Sequence, residues 1–231
     1  MPALANAHIV DWTRIDHVLL DMDGTILDLA FDNYFWKTLV PERYARLHQL
    51  TLDQAHARLE PEFTSTQHTL PWYCTDHWSR VTGLNMAALK REIRERITPI
   101  PGVEEFLKVV RDSGRPLWVV TNAHRDSWEL KLEHTGFRRY FDEVYCSHDF
   151  GYPKEDSRFW DALHTAHPFA RERALFIDDS MPVLSSAQAW GVGQVIGIRK
   201  PDSSLPERPI PAMRSVGTLT ELAATIAAPR K

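Results

Sequence analysis

The chain has 231 residues, 43% hydrophobic and 25% charged, with a formal net charge of −4, which suits one globular domain carrying an insertion. Its 27 basic residues against 31 acidic ones, without a basic run, argue against a nucleic-acid partner. No stretch approaches the ~18–20 apolar residues of a membrane span, residues 1–8 lack the basic and apolar regions of a secretory signal, and Cys74 and Cys146 are too far apart to suggest a disulfide framework or zinc ribbon; a cytoplasmic protein without a membrane partner is expected.

Residues 1–16 read as a lead-in. A strand is predicted at 17–20, where Val18-Leu19-Leu20 runs directly into Asp21-Met22-Asp23-Gly24-Thr25. A buried strand ending in carboxylates presents them at its carboxyl end, where open α/β sheets bind ligands. One carboxylate facing phosphorus can act as nucleophile, and the second, two residues on, can exchange a proton with the leaving group. A calcium loop opening at Asp21 would need Gly sixth and Glu twelfth; Ile26 and Asp32 stand there. Taken alone, the stretch could also be an acidic turn closed by Gly24.

From 30 to 97 only helical periodicity and breaks are visible. Helices are predicted at 31–36, 42–50, 52–66 (broken or kinked at Pro61), 75–81 and 85–97, the last with Asn85 as N-cap. Residues 29–98 therefore read as an inserted helical cap, and 1–28 with 99–231 as the core. Beyond Gly102 the pattern alternates: helix 103–113 closed by Gly114, strand 116–120 running into Thr121-Asn122, helix 125–135 closed by Gly136, strand 143–147, Lys154, helix 157–166, strand 174–177 running into Asp178-Asp179, helix 182–190, and a final strand 192–198. This alternation predicts an α/β fold with a Rossmann-like parallel sheet and right-handed crossovers. Residues 200–214, with four prolines, read as an irregular surface segment.

Asp21/Asp23, Thr121-Asn122, Lys154 and Asp178-Asp179 follow one another after apolar runs or loops that would reach one sheet edge. In order and chemistry they resemble the haloacid dehalogenase superfamily of aspartate-nucleophile phosphatases, over roughly residues 15–198. The resemblance implies that Asp21 forms an aspartyl-phosphate and that Asp23 serves as general acid, then base. It implies that the Thr121 hydroxyl, the Asn122 backbone N–H and Lys154 hold the phosphoryl group. It also implies Mg2+, with Mn2+ or another divalent ion as a substitute, on the Asp21 and Asp179 carboxylates and the Asp23 carbonyl. Asp178 would hold a metal-bound water or stand behind the ligands. The plainer readings are a helix N-cap pair for Asp178-Asp179, a strand-end turn for Thr121-Asn122 and a solvated lysine for Lys154. Family members often have Pro after this Lys, whereas here Pro153 precedes it and Glu155-Asp156 follow. An Asp at position 23 separates the phosphatases from the dehalogenase branch.

Residues 27–36, 67–74, 131–136 and 150–156 further resemble the bacterial GMP/IMP nucleotidases of this superfamily. A purine nucleoside 5′-monophosphate, GMP or IMP, is the substrate that this implies. A phosphatase for phosphoglycolate, a sugar phosphate or FMN, and a phosphomutase, remain alternatives. Phe31, Tyr34, Phe35, Trp36, Trp72, Tyr73 and Trp78 offer aromatic faces on which a purine could stack, though filling a helical core is the plainer role for most of them. His68, Asn33 and Lys131 are polar candidates for which a structural or surface role is the plainer expectation.

Overall fold

The computed structural model describes residues 9–226. Six strands, His17–Leu20 (β1), Leu117–Thr121 (β2), Glu143–Cys146 (β3), Ala174–Asp178 (β4), Gln194–Ile198 (β5) and Ser215–Val216 (β6), form one sheet in the order β3-β2-β1-β4-β5-β6. Every neighbouring pair is parallel. The central strands are nearly unbroken apolar runs because helices cover both faces. Val18, Leu20, Leu117, Val119, Leu175 and Ile177 point into one core, while Leu19, Trp118, Val120 and Phe176 point into the other.

Between β1 and β2 the chain is helical: Ala30–Tyr34 (α1), Val40–His48 (α2), Leu52–Thr66 (α3), Leu70–Tyr73 (α4), Thr75–Thr82 (α5) and Met86–Glu92 (α6). Later come Val103–Asp112 (α7), Arg125–Thr135 (α8), Ser147–Phe150 (α9), Ser157–Ala166 (α10), Met181–Trp190 (α11) and Thr220–Ala223 (α12). Apolar side chains of α7, α8 and α12 fill the first core, and those of α10 and α11 the second. Phe35, Leu39, Val40, Leu59, Trp78, Met86 and Leu89 make a separate core inside the helical insertion.

The insertion leaves and rejoins the sheet at one place. Leu27 bridges Pro99, the Asp28 N–H donates to the Thr98 carbonyl at 2.9 Å, and the Ile100 N–H donates to that of Ile26 at 3.0 Å.

Several local expectations are corrected. The helices expected at 31–36 and 42–50 are one continuous run, joined through a π turn at Phe35–Leu39. Pro41 lacks an N–H and crowds the carbonyl four residues back, and a widened turn just before it relieves both problems. At Pro61 the helix does not break; Pro61 and Ala57, whose carbonyl it leaves without a partner, both face solvent. The last helix of the insertion stops at Glu92 and tightens into a 3₁₀ turn at Arg94–Arg96. The strand at 192–198 is not the final one, since β6 adds two residues at the edge, too few for any alternation to show.

The proline-rich segment is irregular and mostly exposed, as expected, but it is tied down at several points. Asp202 and Ile210 are buried, and the Pro201 carbonyl accepts from the Leu29 N–H at 2.9 Å. The Ser203 N–H donates to Asp28 Oδ1 at 3.1 Å, and Asn33 Nδ2 to Asp202 Oδ2 at 2.7 Å. Its ordering comes from partners far away in sequence, which periodicity does not register. Cys74 and Cys146 are free thiols, and no helix among the described residues is long and apolar enough to cross a membrane.

Candidate active site

The strand order reverses between β1 and β4, where the chain has built β2 and β3 to one side and turns to the other. Open parallel sheets bind ligands beyond the strand carboxyl ends at such a point. Asp21 follows β1 there, its N–H donating to the Ile177 carbonyl at 2.9 Å, and Asp178 closes β4 alongside. Thr121 ends β2 on the same edge. Lys154 arrives from the loop between α9 and α10 and is fully enclosed.

The fold brings these side chains together. Nζ of Lys154 donates to Asp21 Oδ1 at 2.5 Å, Asp178 Oδ2 at 2.7 Å and the Val120 carbonyl at 2.9 Å. Lys154 is therefore not the solvated lysine of the plainer reading. Asp178 uses its other oxygen, Oδ1, to accept from the Ser180 N–H at 2.7 Å. Asp179 Oδ2 takes Arg208 Nη2 at 2.7 Å. Ser180, rather than either aspartate, is the N-cap of α11. Asn122 Oδ1 accepts from the Lys154 backbone N–H at 2.9 Å, fixing the loop that carries the ammonium, and the Thr121 hydroxyl oxygen accepts from the Ala123 N–H at 3.0 Å.

Gly24 allows the first turn to close over this group. Its φ is +88°, and a Cβ there would lie 2.8 Å from Asp179 Cγ and 2.9 Å from Pro201 Cβ. Only glycine fits that backbone and that space.

One oxygen from each of Asp21, Asp178 and Asp179 lies within 4.8 Å of the others. An all-oxygen, anionic donor set of this kind suits a hard divalent cation such as magnesium. Burial, and after it neighbouring carboxylates, push Asp21 up to about 8 and Asp178 up to about 6, against the pull of Lys154. Burial and the Asp21 charge push Asp179 up to about 7 in spite of Arg208. The protein by itself thus under-compensates the three carboxylates, which is what a cation site requires. The Asp23 side chain lies outside this group; its expected metal contact was by backbone carbonyl.

Asp23 Oδ1 instead accepts from Lys131 Nζ at 2.7 Å. The same ammonium donates to Asp32 Oδ2 at 2.6 Å, and Lys90 Nζ donates to Asp32 Oδ1 at 2.6 Å. Burial raises Asp23, and the charge of Asp32 adds to it, against Lys131. Burial alone would raise Asp32 too, but two ammoniums hold it below the ordinary carboxylate range. Of the two carboxyls on Lys131, Asp23 is the one disposed to carry a proton.

Sequence reasoning missed Asp32 and Lys90 and expected Lys131 to be structural or superficial. The signal for Lys131 was present: it stands three residues after Trp128 and beside Leu132, on the inward face of α8. Glu155, noted in the sequence only for following Lys154, makes contacts that the sequence did not reveal. Its Oε2 accepts from Asn122 Nδ2 at 2.9 Å and its Oε1 from the Tyr73 hydroxyl of α4, with His68 Nδ1 at 3.4 Å. Glu155 so ties Asn122 and the loop that carries Lys154 to the insertion.

Asp21, Asp23, Thr121, Lys154 and Asp179 open into a cavity of about 510 Å³ whose far wall is the insertion, within the ~300–1,000 Å³ of small-ligand sites. Trp36, Phe63, Trp72 and Tyr73 line that wall. Of the other aromatic candidates, Phe35 and Trp78 are in the insertion's core, Tyr34 packs against it half-buried, and Phe31 is in the core of the sheet.

The family described as haloacid dehalogenase-like hydrolase matches residues 18–197. The chain is 42% identical over 199 residues to the protein named GMP/IMP nucleotidase YrfG of Escherichia coli, covering 86% of this chain and 90% of that one. Among solved structures it is similar to a HAD phosphatase from Thermococcus onnurineus, with TM-score 0.79, 22% identity and 94% and 100% of the two chains covered. It is also similar to the HAD-hydrolase YfnB of Bacillus subtilis, which is described as bound to magnesium, with TM-score 0.61, 20% identity and 92% and 99% covered.

Proposed function

The chain belongs to the haloacid dehalogenase-like hydrolases, and from that premise we propose that it is a magnesium-dependent phosphomonoesterase acting on purine nucleoside 5′-monophosphates, GMP or IMP. The observation that supports this most is the meeting of Asp21, Asp23, Lys154 and Asp179 at one cavity that faces an aromatic wall. Similarity to a GMP/IMP nucleotidase over most of both chains supports the choice of substrate.

In this reading Asp21 attacks phosphorus. An oxygen–phosphorus bond forms to Asp21 as the ester oxygen–phosphorus bond breaks, and Asp23 gives its proton to the departing alcohol. Asp23, now a carboxylate, takes a proton from water, which attacks phosphorus and releases phosphate from Asp21. Lys154 holds Oδ1 of Asp21, leaving Oδ2 for phosphorus, and keeps a positive charge beside the transferring group. Thr121 and the Asn122 backbone N–H serve as donors to the phosphoryl oxygens, whose charge is spread in the transition state. Asp21 and Asp179 would hold the divalent ion, with the Asp23 carbonyl, and Asp178 would buttress Lys154. Once bound, the ion neutralises carboxylate and phosphate charge and so permits their approach. Residues 29–98 act as the cap, excluding water and presenting rings to the base.

Phosphate release from GMP, IMP, AMP, phosphoglycolate, FMN and a hexose phosphate, each with Mg2+ and with EDTA, tests the reading. GMP and IMP should give the highest kcat/KM, and EDTA should abolish turnover. A preference for phosphoglycolate or a sugar phosphate would overturn the substrate, and sugar-phosphate isomerisation without bulk phosphate release would make the protein a mutase.

A further inference from the structure

Four charged side chains form an unbroken line from the turn after β1 into the insertion: Asp23, Lys131, Asp32, Lys90. Lys131 is only 1% exposed and Lys90 only 3%, so both ammoniums have left water. Burying a line of charges does little for stability that well-packed apolar side chains could not do, so a register or positioning role is the better-founded reason to keep one. Both oxygens of Asp32 are engaged, one by each lysine. Of the two Asp23 oxygens, Oδ1 is held by Lys131, while Oδ2 has no protein donor among the described residues and Asp23 borders the cavity.

The line also reaches the rings. Lys90 Nζ is 4.6 Å from the Phe35 ring centre and 5.7 Å from that of Trp36, a residue of the cavity wall. Lys131 Nζ and Lys90 Nζ lie 5.3 and 5.2 Å from the centre of the Phe31 ring. The β1 turn, α8 and the insertion are therefore pinned to one another by two ammonium groups and two carboxylates.

We propose that Lys131 is a positioning residue for Asp23: it grips Oδ1, keeps Oδ2 turned to the leaving oxygen, and through Asp32 and Lys90 makes that aim depend on the seating of the insertion. The proposal rests on the reading of Asp23 as proton donor. A carboxyl freed from Lys131 would rotate about its χ angles and spend little time in line with the ester oxygen, and a misplacement of about 1 Å can cost on the order of 10²-fold in rate.

The test is the dependence of kcat/KM on the leaving group. With a nucleoside monophosphate the departing alkoxide needs a proton, whereas with para-nitrophenyl phosphate the phenolate departs without one. Because kcat/KM covers only the steps through alcohol departure, the later hydrolysis of the aspartyl-phosphate does not enter. Asp23→Asn should lose at least about 10²-fold on GMP and far less on the aryl ester. Lys131→Met should follow the same pattern at about 10- to 100-fold on GMP, with the aryl ester falling several times less. If Asp23→Asn falls equally on both esters, the proton-donor reading fails. If Asp23→Asn discriminates but Lys131→Met falls equally on both, or on neither, the positioning proposal fails and the reading stands. Lys131→Met leaves two carboxylates facing an apolar side chain, and the double variant Lys131→Met/Asp32→Asn covers the case in which it does not fold. The double variant lowers the buried charge on both sides, keeps Lys90 beside a side-chain carbonyl, and should show the same leaving-group bias. Equal losses on the two esters in the double variant overturn the proposal in the same way.

Discussion

Asp21 and Asp178, on adjacent strands, share a single cation: Nζ of Lys154 lies 2.5 Å from one carboxylate and 2.7 Å from the other. Its third donor goes to the Val120 carbonyl, so the ammonium is committed wholly to the protein. Lys154 is driven above its ordinary value by the two carboxylates against the effect of burial. Asp21, the nucleophile of the proposed mechanism, is thus fixed in place before any substrate arrives.

Removing that cation should be felt in the fold as well as in turnover. Lys154→Met strands two buried carboxylates, at an expected cost of about 3–5 kcal/mol. Urea denaturation in EDTA measures it, and Mg2+ should restore part of the loss. A variant within about 1 kcal/mol of the parent in EDTA would show that the pair does not hold the site together.

Asp21→Asn should abolish turnover, by at least about 10³-fold, because in the proposed mechanism Asp21 carries the covalent phosphate. Rapid acid quench of the parent with labelled GMP should trap phosphate on protein, and the variant should trap none. Comparable labelling in the variant would move the nucleophile elsewhere.

The raised carboxylates set the direction of the pH response. Asp21, Asp179 and Asp178, at about 8, 7 and 6 in the folded protein, would titrate near 4 when unfolded. From about pH 4 to 8 the folded state holds more protons than the unfolded one, so these groups destabilise the metal-free protein as pH rises. A cation must displace the same protons, so its affinity climbs over that window. In EDTA, Tm should fall between about pH 5 and pH 8; saturating Mg2+ should flatten the fall, and Mg2+ should bind at least about tenfold more weakly near pH 6 than near pH 8. A pH-independent Mg2+ affinity, by calorimetric titration, would count against the three carboxylates as the site.

Gly24→Ala should lose about 1–3 kcal/mol from the strained backbone alone, and its methyl would press on Asp179 Cγ at 2.8 Å. Weaker Mg2+ binding should accompany the lower Tm. Unchanged Mg2+ affinity would show that Asp179 does not need this turn.

Trp72 borders the cavity at the margin of the insertion's core. Its carbonyl, which accepts from Trp78 Nε1 at 2.8 Å, survives truncation of the ring. Trp72→Ala should raise KM for GMP by about 5- to 100-fold, the ~1–3 kcal/mol of a stacked base, with a smaller change for para-nitrophenyl phosphate. Equal changes for both would place the base elsewhere.

Residues whose meaning lay in local pattern were legible from sequence. Asp21, Thr121 and Asp178 each end or follow a buried apolar run, so parallel strand pairing alone carries them to one edge. Lys154 needed the family pattern, because its loop has no periodicity. The line through Lys131 was not legible: Asp23, Asp32 and Lys90 lie 108, 99 and 41 positions from it, and nothing local says that these charges will meet. Arg208 was hidden likewise in a proline-rich stretch whose only order is tertiary. Two helices were expected where one runs, because a π turn shifts the apolar stripe as a loop would.

The paired crossing at Leu27–Pro99 bears on how such a protein can change over generations. Because the chain departs and returns at neighbouring points, a different helical segment could be spliced there with an entropic penalty that grows only slowly with its length. The sheet and its carboxylates would scarcely register the exchange. Descendants could acquire new appetites while the old chemistry stayed whole, except at Asp32, where any replacement must bring its own countercharge for Lys131.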